Sequence, residues 1–95
     1  MDSAELRSFA EDRDIIVIDG KLRNEQKSIS ISDRGQCAIV VDPKKITTSA
    51  EETVIMAHEL GHCETGAFYN ERTLELRSRM EFRADKWAIK KLVTE

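Results

Sequence analysis

His58-Glu59-Leu60-Gly61-His62 places two imidazoles and a carboxylate within one short stretch. On a helix, side chains at i and i+4 lie one above the other on one face, so both rings can reach a single metal ion. A glutamate beside them can polarise a water and carry its proton, as happens in zinc-dependent peptidases. The chain has 2 histidines, and both fall in this motif. The chemistry predicted is metal-assisted hydrolysis, with His58 and His62 as metal ligands and Glu59 as general base.

Two histidines alone bind zinc weakly, and a catalytic site normally has three protein ligands plus water. The C-terminal segment offers the third. At about 100° per residue, Leu74, Ser78, Glu81, Phe82, Asp85, Ala88, Ile89 and Leu92 share one helix face, which should pack on the core. Burying unpaired charge is costly, so Glu81 and Asp85 in the middle of that face need partners. A dication on the neighbouring helix would serve. Glu81 is expected as third ligand, and Asp85, one turn on, as an acceptor that orients a histidine through its free ring nitrogen. The alternative is ordinary salt bridges to Arg79, Arg83 or Lys86. Glu64, Glu71 and Glu75 are rival ligands, although Glu64 points to a different face from His62. Tyr69, the only tyrosine, is the candidate oxyanion stabiliser, against a plain packing or surface role.

The elements that must position these groups can be read in outline. Residues 3–12 read as a helix with Leu6, Phe9 and Ala10 on one side. The β-branched run at 14–19 reads as a strand that stops at Gly20. Residues 28–32 alternate strictly, marking a strand with one wet face. Asp33-Arg34-Gly35 is turn chemistry, so residues 37–41 should return as the second arm of a hairpin ended by Asp42-Pro43. The motif helix starts near Thr48 or Ser49, with Glu51 or Glu52 completing a capping box, and Gly66 is placed to end it. A last helix should run from about Glu71 to Val93, with a break near Arg77-Ser78. Gly61 permits close packing of the sheet or the last helix on the motif helix. Trp87 falls opposite Glu81 and should pack on the N-terminal helix. A substrate would lie extended along an exposed edge, with residues 37–41 as the candidate strand. The order α-β-β-β-α-α describes a single α+β domain over residues 1–95.

Composition narrows the class. The chain of 95 residues is 40% hydrophobic and 35% charged, which suits a small soluble domain whose modest core a metal would help stabilise. A net charge of −3 argues against direct nucleic-acid binding. The basic residues of the last helix alternate with acids and read as a solvated face. No apolar run approaches a membrane span, and the N-terminus has no signal-peptide pattern, so a cytoplasmic location is expected. Cys37 and Cys63 are then expected as reduced thiols.

Two stretches carry a family resemblance. Residues 54–62, Val-Ile-Met-Ala-His-Glu-Leu-Gly-His, and residues 81–88, Glu-Phe-Arg-Ala-Asp-Lys-Trp-Ala, together resemble the ImmA/IrrE family of zinc metallopeptidases. The second stretch looks like that family's E-x-x-A-[ND]-x-F-A signature, with Trp87 in place of phenylalanine. The segment 63–69 departs from the fuller members, and the chain stops soon after the signature. The resemblance implies a small zincin-like domain: an N-terminal helix, a three-stranded and mostly antiparallel sheet, an active-site helix and a long C-terminal helix. It further implies one Zn²⁺ per chain on His58, His62 and Glu81, with Glu59 as base. The family includes phage- and mobile-element proteases that cleave helix-turn-helix repressors, so the implied partner is a protein substrate of that kind. The competing reading is a non-catalytic, zinc-stabilised module that holds such a partner; Glu59 discriminates, because a binding module has no use for it.

Overall fold

A computed structural model of the chain describes residues 1–66 and 77–94. Helix α1 (Ser3–Asp12) starts on a capping box: Asp2 accepts from the Glu5 amide at 2.9 Å, and Glu5 reaches back to the Asp2 amide. Its inner side, Leu6 and Ala10, is fully buried. Asp14, at φ 57°, turns the chain into β1 (Ile16–Asp19); a short polar side chain tolerates this left-handed backbone better than most. Strands β2 (Ser28–Asp33) and β3 (Gln36–Val41) form the expected hairpin. Its two-residue turn, Arg34-Gly35, has φ of 52° and 82°, the positive values that match the twist of paired strands.

The sheet order is β1-β3-β2, with β1 parallel and β2 antiparallel to β3. It is therefore mixed, with one pair of each kind, where a mostly antiparallel sheet was expected. The cause is the polar stretch after β1, which crosses the end of β3 and lets β1 and β2 occupy opposite edges. Two side chains hold this arch. Asp42 accepts from the Leu22 amide at 3.0 Å, and this bond is the main reason its carboxyl titrates below the ordinary range. The Lys45 ammonium donates to the carbonyls of Leu22, Asn24 and Gln26 at 2.7–3.0 Å.

β3 is therefore the central strand, paired on both sides, and cannot accept a substrate strand. That corrects the expectation that residues 37–41 form the open edge. Register also fixes the two faces. Val17, Cys37, Ile39 and Val41 pack toward the helices, while Ile16, Ile18 and Ile31 lie exposed on the far side. Ser28 and Ser30 oppose Val41 and Ile39, so β2 turns its serines toward the helical layer and its isoleucines away. The alternation in β2 is real, but it is the polar side that meets the helices.

Helix α2 (Ser49–Thr65) and helix α3 (Arg77–Thr94) pack mainly on each other, and a 3₁₀ turn (Pro43–Lys45) leads into α2. The core is Leu6, Ala10, Ile15, Ile39, Val41, Met56, Ala57, Leu60 and Ala88. Trp87 packs on α1 as expected, its ring 5.7 Å from that of Phe9. The buried seam of α3 runs through Ala84 and Ala88, whereas Ile89 is exposed, so the α3 face is rotated from the one the periodicity suggested. Glu81 and Asp85 consequently lie at the margin of the contact and not in its middle. Among the described residues no helix is long and apolar enough to cross a membrane.

Cys37 and Cys63 are joined by a disulfide that ties β3 to the last turn of α2, where reduced thiols were expected. The two Cα atoms stand 5.8 Å apart because the inward face of β3 packs against that turn. The bridge spans 26 residues of sequence. Loop-closure entropy for a loop of this length gives a contribution of roughly 3.5 kcal/mol. Reduction, or Cys37→Ser, should lower the urea midpoint accordingly, measured with and without reductant; an unchanged midpoint would show that the bridge does not constrain the unfolded chain.

Candidate metal centre

Local sequence explains the placement of α2. Thr48 is its N-cap, accepting from the Glu51 amide at 3.0 Å, and Glu51 accepts in return from the Thr47 amide at 3.2 Å. Gly66 ends it in the left-handed region, at φ 67°. Between these limits one side of α2, Met56, Ala57, Leu60 and Gly61, is buried in the core or against α3. That burial fixes the helix rotation. His62 and Glu59 are then almost fully enclosed, and His58 is partly open.

Gly61 sets how close α3 can come. A Cβ built there would stand 3.0 Å from Ala84 Cα and closer still to the Ala84 carbonyl oxygen, so the two helix backbones are in contact. Ala84 lies between Glu81 and Asp85 in sequence, and the close approach carries both carboxylates onto the histidines.

His58, His62 and Glu81 converge to form a group that could hold a metal ion, their donor atoms all within 4.8 Å of one another. The Nε2 atoms of the two histidines are 3.2 Å apart. Glu81 lies 3.0 Å from His58 Nε2 through one oxygen and 3.3 Å from His62 Nε2 through the other. Zinc bonds of about 2.0–2.1 Å at tetrahedral angles place neighbouring donors about 3.3 Å apart, which these separations match. The donor chemistry fits as well. Asp85 Oδ1 is 2.6 Å from His58 Nδ1. With the Nδ1 proton donated to Asp85, Nε2 presents a lone pair to the cluster, facing a second imidazole nitrogen and a carboxylate. A cation is what such a convergence of lone pairs accommodates.

Asp85→Ala should weaken zinc binding about tenfold to a hundredfold while leaving the fold intact, since its side chain is largely exposed and its contact is the ring nitrogen. Chelator competition measures this; unchanged affinity would make the Asp85–His58 contact an incidental surface bond.

Glu59 is turned to β2, where its Oε2 accepts from the Ser28 hydroxyl at 2.5 Å. Of the rival ligands, Glu64 is paired with Arg13 at 3.2 Å. Glu71, Glu75 and Tyr69 lie outside the described residues. The sequence reading missed Ser28, whose only signal is its inward position on an alternating strand. Ala84 stood out only as part of the signature, not as the residue whose backbone meets Gly61. Compared with known protein families, curated proteins and solved structures, the chain matches none.

Proposed function

We propose that this protein is a zinc-dependent endopeptidase, of the kind its motifs resemble, that cleaves a specific protein, a helix-turn-helix repressor in phage or mobile-element regulation being the favoured substrate. The observation that carries the reading is the convergence of His58, His62 and Glu81, with Asp85 behind His58 and Glu59 buried between the two histidines in sequence. A two-nitrogen, one-carboxylate donor set suits zinc and leaves a position free for chemistry. Zinc held there would supply a Lewis acid and an activated water. Glu59 would serve as general base, accepting a proton from the nucleophile and delivering it to the leaving amine. Its Oε2 is engaged by Ser28, which leaves Oε1 as the proton-carrying oxygen. The substrate chain lies along the outer edge of β2, the strand beside the motif helix; among the described residues that edge pairs only with β3 on its inner side.

The test is metal content by mass spectrometry on protein purified without chelators, followed by cleavage of a quenched-fluorescent peptide library. About one zinc per chain with chelator-sensitive cleavage supports the proposal. Absence of metal after incubation with zinc would sink it.

A further inference from the structure

We infer that Ser28 is a positioning residue for Glu59, and that it links the base to the strand edge on which the substrate is seated; the inference rests on the peptidase reading above. Glu59 is only 6% exposed and receives the Ser28 hydroxyl at 2.5 Å, a short bond of the kind a charged acceptor makes. A glutamate has three side-chain torsions, so an isolated one in this position would spread over several rotamers. The hydroxyl fixes one oxygen to the sheet and thereby the direction of the other.

The backbone of Ser28 points the opposite way from β3. The Asp42 amide donates to the Lys27 carbonyl at 2.9 Å, so Lys27 and Asp42 form a hydrogen-bonded pair in the β2/β3 ladder. The next pair, Ser28 with Val41, is therefore the non-bonded kind, and its β2 member turns N–H and C=O to the outer edge. Val41 agrees with this: its carbonyl accepts from the Gly20 amide, on the β1 side. One residue thus offers its main chain to an incoming peptide and its side chain to the base. A peptide paired at Ser28 is held in fixed register to Glu59, and disturbance of the hydroxyl should affect the chemical step more than the seating of the peptide.

The experiment compares the zinc-loaded parent with Ser28→Ala and Ser28→Thr, using the best-cleaved peptide of the library. Ser28→Ala should lower kcat about tenfold to a hundredfold with KM within about twofold, as for other residues that orient a reacting group. Ser28→Thr keeps the hydroxyl and should restore kcat to within about threefold. In parallel, the side-chain carboxyl carbon of ¹³C-labelled Glu59 should shift in Ser28→Ala and return in Ser28→Thr. An unchanged kcat in Ser28→Ala, or a threonine variant as slow as alanine, overturns the assignment. If the parent cleaves nothing, the peptidase reading fails, and the carbon shift alone decides the Ser28–Glu59 contact: a shift restored by threonine upholds it, and no shift overturns it.

Discussion

Gly61→Ala protein should bind zinc at least about a hundredfold more weakly than the parent and unfold at lower denaturant concentration. The added methyl would meet the Ala84 backbone, its carbon 3.0 Å from Ala84 Cα and nearer still to the carbonyl oxygen. A backbone cannot rotate aside as a side chain can, so α2 and α3 must part. Overpacking of this sort costs typically about 1–3 kcal/mol. Alanine recovers up to about 1 kcal/mol of that through its better helix propensity, so the net loss of stability is moderate. The metal site tolerates less. Its ligands need to stay within about 0.5 Å of their working geometry, and Glu81 and Asp85 flank the residue that is pushed. Chelator competition and urea unfolding on the same preparation separate the two effects. Parental zinc affinity in this variant would show that the helix separation is not set by Gly61.

The same contact shows what the sequence could and could not disclose. The motif of His58, Glu59 and His62 is local, because a helix brings i and i+4 together whatever surrounds it. The limits of α2 are local too, since Thr48 and Gly66 act on their own backbone neighbours. Glu81 and Asp85 could be singled out from spacing and resemblance, although the argument that they sit in mid-core was wrong: Ala84 and Ala88 form the seam, and the carboxylates flank it. What stayed hidden depends on pairing between distant segments. Alternation and turn chemistry identified three strands and the β2–β3 hairpin but not where β1 joins, so they did not reveal that β3 lies in the middle with β1 parallel to it. The strand alternation of β2 looks the same whichever face turns inward, and only the register places Ser28 against Glu59. The disulfide depends on a proximity the sequence does not show: Cys37 faces inward from β3 onto the turn that carries Cys63.

Glu59→Gln should retain about one zinc per chain and lose peptide cleavage by a factor of about 10²–10⁴, the range that general acid–base catalysis supplies. Glutamine has nearly the same shape, and its amide oxygen can still accept from Ser28, so the link to β2 survives. What it lacks is a carboxylate oxygen able to take a proton from the attacking water. The ligand group of His58, His62 and Glu81 does not include this residue, which is why metal content and turnover should separate. A protein that uses zinc only to stabilise a partner-binding surface behaves otherwise: parent and variant would both hold zinc, both bind the partner, and neither would cleave. Metal analysis and cleavage kinetics on the two proteins therefore decide between catalysis and binding. Full turnover by Glu59→Gln would remove this glutamate as the base and leave its burial beside Ser28 as a purely structural feature of the fold.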